Sequence, residues 1–158
     1  MQSSEFKEAV GKFPTGITVV STAYDDKLWG FTANSFVSVS LSPFLVSFCI
    51  NKQAGSFEAF QSTEHFAISV LSEDQGDISN HFATHKEDKF KEINYDIGSA
   101  SNAPLISGAA SFIECKKHNM FECGDHFIFV GEAISTKVDK KKSPLLYFAR
   151  SYLNIKQD

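Results

Sequence analysis

Between Val37 and Leu41 the apolar residues Val37, Val39 and Leu41 alternate with Ser38, Ser40 and, one step on, Ser42. A period of two belongs to an extended strand with one apolar and one hydroxylated face; an α-helix would scatter the same residues around its axis. Pro43 closes the strand. Similar short runs recur along the chain. Ile17 to Thr22 is β-branched, Asp25-Asp26-Lys27 has the composition of a hairpin turn, and Leu28 to Thr32 reads as the return strand. Leu45 to Ile50 and Phe66 to Leu71 are compact apolar strands. Ala109 to Lys117 and His126 to Val138 read as two long ones, the second alternating Phe127 and Phe129 against Ile128 and Val130.

Helical spacing is confined to short stretches. Phe6, Ala9, Val10 and Phe13 follow the candidate caps Ser3 and Ser4 and predict a short amphipathic helix that Pro14-Thr15-Gly16 ends. Ser56 to Phe60 has room for one or two turns. Ser72-Glu73-Asp74-Gln75 has capping-box spacing, and Ile78 with Phe82 supplies a buried stripe, so a helix is expected from Glu73 to about Ala83. The charged, glycine-containing segment His85 to Ser101 reads as an exposed excursion. Many short strands with few helices predict a mainly β protein, a closed antiparallel barrel decorated with helices rather than a βαβ repeat.

At 158 residues, 42% of them hydrophobic, residues 1–158 are expected to form one domain around one core, without repeat or linker. Sixteen phenylalanines fill such a core and can also wall a pocket for a flat aromatic ligand. A net charge of −4 without a basic stripe argues against a nucleic-acid partner. No apolar run has the length of a membrane helix, and Met1-Gln2-Ser3-Ser4-Glu5 lacks the pattern of an export signal. Three cysteines, Cys49, Cys115 and Cys123, form no CxxC and suit a reducing compartment, so a cytoplasmic location is expected.

None of the nine glycines forms a G-x-G pair, which leaves neither a dinucleotide fingerprint nor a phosphate loop. Cys115, His118, Cys123 and His126 have zinc-ligand chemistry. In unbroken strands, however, an offset of three sends Cys115 and His118 to opposite faces, and likewise Cys123 and His126, so no metal is expected there. His81 and His85 lack the glutamate of HExxH and a third ligand. The same directional argument weakens Cys123 with His126 as a nucleophile pair, and Cys49 reads as a small packing residue within its strand.

What remains is Gly30-Phe31-Thr32-Ala33-Asn34-Ser35-Phe36, where a strand runs into small and hydroxylated residues. Such a segment can bring backbone N–H groups and short side chains up to a polar ring edge or a phosphate. Taken with Ser38-Val39-Ser40-Leu41 and Pro43, it resembles the signature of the flavin reductase-like family, whose members have the FMN-binding split β-barrel fold, antiparallel and of Greek-key type. Other pieces agree in order. Phe13-Pro14-Thr15-Gly16-Ile17-Thr18-Val19-Val20, Phe66-Ala67-Ile68-Ser69-Val70-Leu71, Gly124-Asp125-His126 with Ile128-Phe129-Val130-Gly131-Glu132, and Pro144-Leu145-Leu146-Tyr147 each resemble a family segment. The resemblance runs from about Phe6 to Tyr152.

The resemblance implies an NAD(P)H:flavin oxidoreductase that passes hydride from NADH or NADPH to FMN or FAD and feeds a partner flavin-dependent monooxygenase, working as a homodimer. The alternative is a non-catalytic split-barrel carrier or sensor of flavin or haem. By position, Thr32, Ala33, Asn34 and Ser35 would meet the flavin ring edge and ribityl chain, and Ser47, Cys49 and Ile50 would line the adjoining strand. Lys52 and Ser56, with Phe57 beside them, would meet the flavin phosphate, a match of cation and hydroxyl to a dianion. Phe82 and Lys86 lie near the equivalent helix end. His126, the candidate catalytic residue, and Tyr152 occupy the nicotinamide side. Two positions depart from the family pattern. Arg150, the chain's only arginine, stands where glycine is usual, and either crowds the nicotinamide pocket or supplies a new anionic contact. Lys52 lies in a loop that commonly carries arginine, so bidentate phosphate recognition is lost.

Overall fold

A computed structural model describes residues 1–155. In chain order the elements are α1 Ser3–Val10, β1 Thr15–Gly16, β2 Thr18–Tyr24, β3 Lys27–Ala33, β4 Val37–Leu41, β5 Phe44–Asn51, α2 Phe57–Ser62 and β6 His65–Val70. They continue with α3 Gly76–Phe82, β7 Tyr95–Ile97, β8 Pro104–Ile106, β9 Ser111–Cys123, β10 His126–Val138, β11 Leu146–Phe148 and β12 Ser151–Leu153. Seven strands pair in the order β3-β2-β6-β9-β10-β5-β4, antiparallel throughout. The end strands β3 and β4 are consecutive in the chain and joined by Asn34-Ser35-Phe36, and β3 approaches β5. The sheet therefore curls back on itself, with a seam between β3 and β5 that the joining segment crosses. Two small sheets, β1-β11-β12 and β7-β8, lie outside it.

Local chemistry accounts for the turns. Asp25 and Asp26 take φ of 53° and 56°, the left-handed pair that a two-residue hairpin needs to match strand twist. Inside the barrel Phe48 stacks on Phe129 at 5.3 Å, and Phe66 meets Phe48 edge-on at 5.2 Å. Gly131, in the middle of β10, leaves space for this cluster, because a methyl group there would overlap the Phe66 ring. A second cluster, Ile17, Val19, Leu71, Phe82, Phe90, Ile106 and Leu145, packs the outer helix and small sheets onto the barrel. Glu114, buried and without a basic partner among the described residues, accepts hydrogen bonds from the N–H groups of Ala100 and Ser101 at 2.9 and 2.8 Å and from the Ser101 hydroxyl at 2.8 Å.

Several expectations change. The first helix is capped at Gln2, whose N–H meets Glu5 Oε2 at 3.0 Å, rather than at Ser3 or Ser4. It ends at Val10, short of Phe13, and its apolar residues Phe6 and Val10 are exposed, as is Phe13 beyond it. The strand Val37–Leu41 forms, but its apolar face is not half-buried: Val37, Val39 and Leu41 are 54, 50 and 79% exposed. A bulge between Ser38 and Ser40 breaks its register with β5. The third helix starts at Gly76, three residues later than the capping box predicts. Gln75 Oε1 accepts the Ser72 N–H at 3.1 Å, but the Ser72 hydroxyl turns to the Gly108 carbonyl and Asp74. The excursion from His85 to Ser101 is pinned by Phe90, 4% exposed, and by Lys89, whose Nζ donates to the Phe82 and Gly30 carbonyls at 2.9 and 3.2 Å. β9 continues past Lys117 to Cys123, because β10 pairs with it along its length.

Arg150, where glycine is usual, stands at the tip between β11 and β12. Ala149 and Arg150 have φ of 48° and 66°, and the arginine is exposed. A left-handed position favours glycine, and the cost to an L side chain is about 1 kcal/mol. Arg150→Gly should accordingly raise stability by about 1 kcal/mol. Urea unfolding measures this as a higher midpoint at unchanged slope; a lower midpoint would mean that the arginine makes contacts worth more than the strain.

Candidate active site

The segment linking β3 to β4 is held from three sides. Thr18 Oγ1 donates to the Ala33 carbonyl at 2.8 Å, and Thr32 Oγ1 donates to the Ser79 carbonyl of α3 at 2.6 Å. The Ser35 hydroxyl accepts the Cys49 N–H at 2.9 Å and so stitches the segment to β5. The hydroxyls of Thr32 and Ser35 are thus occupied in positioning the backbone. Asn34 alone of the four presents an exposed side chain.

On β5, Val46, Phe48 and Ile50 point into the core, while Ser47 and Cys49 are half-buried on the opposite face. Ser47 lies across from Val37 and Val130, and Cys49 across from Ile128. Ile50 is 1% exposed, so its side chain does not line the strand for a ligand as expected; that face belongs to its alternates. Phe82 is fully buried against Phe90, ring centroids 4.9 Å apart, and its ring is likewise part of the core. Lys86 is exposed beyond the end of α3.

Where β5 ends, the chain brings together residues distant in sequence. Asn51 pairs with His126, and the Lys52 N–H donates to the Asp125 carbonyl at 3.0 Å. One rim therefore carries Lys52, Asp125 and His126. His126 Nδ1 lies 2.7 Å from Asp125 Oδ1, which orients the imidazole and leaves Nε2 as the ring nitrogen outside that bond. That hydrogen bond, more than charge, holds the Asp125 carboxyl below the usual carboxylate range. Lys52 Nζ forms an ion pair with Glu122 and sits 5.7 Å from the centroid of the Phe127 ring. Ser56, 8% exposed, precedes α2 with no hydroxyl cap bond, and Phe57 packs on Phe127 at 5.1 Å.

Tyr152 lies apart from this rim, on β12. Its hydroxyl is 2.8 Å from Asn80 Oδ1 and 2.9 Å from Ser79 Oγ, so β12 and β3 are both tied to α3. Beside Asn34 and Ser35 a groove of about 490 Å³ is lined by Phe13, Pro14, Thr15, Gly16, Phe36 and Val37 among others, within the size range of small-molecule sites. Thr15 Oγ1 is buried at this groove with no hydrogen-bond partner among the described residues. An apolar groove with an exposed amide and an orphaned hydroxyl fits a flat ring with polar edges.

The cysteines behave differently from one another. Cys115 is buried, and desolvation, with the Glu114 carboxylate adding to it, pushes its thiol up to about 12. At neutral pH it is a protonated, buried thiol. Cys123 and His126 are direct cross-strand partners, because the chain turns at Gly124-Asp125. The expectation that they face opposite sides holds only within one continuous strand, and the turn between β9 and β10 overturns it. Among the described residues no three His, Cys, Asp or Glu side chains gather as a metal site.

Asp125, Glu122, Thr15, Ser79 and Asn80 become visible only in the structure. Asp125 sits inside the Gly124-Asp125-His126 motif, where its adjacency to His126 is a usable signal. Thr15 likewise sits inside the segment Phe13-Pro14-Thr15-Gly16, whereas Glu122, Ser79 and Asn80 act across strand or helix contacts and leave no local trace.

A curled antiparallel sheet whose end strands are joined by a short link beside an apolar groove is the architecture of the split-barrel class of flavin reductases. The chain belongs to the flavin reductase like domain family, whose profile matches residues 10–156. It is 42% identical over 135 residues to an NADH-dependent FAD reductase of Streptomyces globisporus, covering 83% of this chain and 74% of that protein. It is 36% identical over 155 residues to the reductase subunit of a flavin-dependent monooxygenase of Mycobacterium tuberculosis, covering 97% and 82%. A solved structure of an NADH:FAD oxidoreductase from Streptomyces globisporus, in complex with NAD and FAD fragments, superposes with a TM-score of 0.94 at 38% identity, covering 98% of this chain and 93% of that one.

Proposed function

We propose that this chain is an NAD(P)H-dependent flavin reductase that transfers hydride to FMN or FAD and supplies reduced flavin to a flavin-dependent monooxygenase. The observation that carries this reading is the meeting of Lys52 and the Asp125–His126 pair at one rim, in a chain whose relatives are named as flavin reductases. When bound, the flavin itself supplies the hydride-accepting chemistry. The protein's own part is placement. Asn34 and the pinned backbone from Thr32 to Ser35 meet the ring edge, and Ser47 and Cys49 line the face of β5 beside it. Lys52 and Ser56 take the phosphate, and His126 Nε2 offers a hydrogen bond to the nicotinamide nucleotide. Purified protein mixed with NADH and either flavin under air should consume NADH over many turnovers. NADH consumption no faster than with free flavin alone would instead indicate a carrier.

Residues 1–158 act as one domain in this reading, in the cytoplasm and without a nucleic-acid partner; the three cysteines without a disulfide and the net charge of −4 support it. Among the described residues no helix is long and apolar enough to cross a membrane.

The working unit is a homodimer. Val37, Val39, Leu41 and Phe44 are each at least half exposed, and Ile134 is 44% exposed, an apolar surface larger than scattered single residues explain. A two-fold contact through this surface would cover it. Light scattering should therefore give twice the 17.5 kDa chain mass; a monomer at working concentration would refute the dimer.

A further inference from the structure

We propose that Glu122 is a built-in competitor for the flavin phosphate and sets the affinity of the site low enough for flavin to leave after reduction. The proposal rests on the reading of Lys52 as the phosphate's cation. Lys52 Nζ is already paired with the Glu122 carboxylate across the face of Phe127. Glu122 lies opposite Phe127 in the β9–β10 ladder, so the hairpin holds its carboxylate at this rim.

The fold has little need of the pair. Its side chains are 35 and 65% exposed, and exposed ion pairs contribute little to stability. Its effect falls on ligands. A phosphate dianion reaching Lys52 must either displace Glu122 or sit beside it as a like charge, and both weaken binding. Asp125, whose carbonyl receives the Lys52 N–H, places a second carboxylate nearby. Ser56 adds only a neutral hydroxyl. A site meant to retain flavin would leave its cation free, and an ammonium in place of a forked guanidinium points the same way. Flavin that dissociates once reduced is the form a separate oxygenase component can use.

Glu122→Gln removes the charge at nearly constant shape. Titration of the intact protein by flavin fluorescence gives Kd for FMN and for riboflavin, which has no phosphate. FMN should bind the variant about three- to five-fold more tightly at low salt, the scale of an exposed charge pair, with the gain fading as salt is raised. Riboflavin should bind both proteins alike. Unchanged or weaker FMN binding, or equal tightening for riboflavin, would overturn the proposal. Lys52→Ala separates the two layers of the argument. If FMN keeps its full advantage over riboflavin in that variant, the phosphate is not at Lys52 and the underlying reading fails as well. If the advantage is lost while Glu122→Gln changes nothing, only the role of Glu122 fails.

Discussion

Replacing His126 with alanine should lower the rate of flavin reduction by NADH by roughly one to two orders of magnitude, the cost of misplacing a reacting atom by about 1 Å. Flavin affinity should stay nearly unchanged. The expectation follows from the ring's surroundings. Asp125 Oδ1 holds Nδ1 at 2.7 Å, and the imidazole is 42% exposed, so the ring is oriented yet open to solvent. Lys52 and Ser56, the proposed phosphate contacts, lie in the next loop and do not depend on the imidazole. Rapid mixing of flavin-loaded protein with NADH, followed at the flavin absorbance, isolates the step. A reduction rate that is unaltered at every NADH concentration would remove His126 from the nicotinamide site.

The second large effect concerns the phosphate. Lys52→Ala should weaken FMN binding by about 1.5 to 3 kcal/mol, the range for a hydrogen bond to a charged group. The lower end is the better expectation here, because part of the ammonium's charge is already balanced by Glu122. Riboflavin should bind the variant and the parent alike. Equal losses for both ligands would show that Lys52 acts through its loop, where its N–H holds the Asp125 carbonyl at 3.0 Å and thereby the setting of His126.

The two predictions use residues from different levels of reading. His126 stands in a short segment that resembles a family motif, and Lys52 in a loop that the same resemblance places at the phosphate, so both could be named from the chain alone. That they share a rim is decided by the β5–β10 register, in which Asn51 lies across from His126. Glu122 had no motif to mark it. Its importance comes from a ladder position opposite Phe127 and from a side chain that reaches across a hairpin.

Local order along the chain determined much of the fold. Period-two alternation, Asp-Asp and Pro breaks and β-branched runs sufficed to locate most strands, because each reports the conformation of its own few residues. Burial was another matter. The alternation from Val37 to Leu41 identified a strand yet pointed to a covered face that the single chain leaves open. Phe82 and Ile50, placed at the ligand by resemblance, turn into the core because strand and helix faces are assigned by packing against partners far along the chain. Cys123 and His126 were separated by an argument that holds within one strand, and a hairpin set them opposite each other. By itself the sequence determined which segments extend, which turn and which family they resemble, since those properties reside in neighbouring residues. Which side chains meet, which hydroxyls are spent on the scaffold and which charge already has a partner were decided only by the tertiary structure, since long-range strand register sets the contacts between residues distant in sequence.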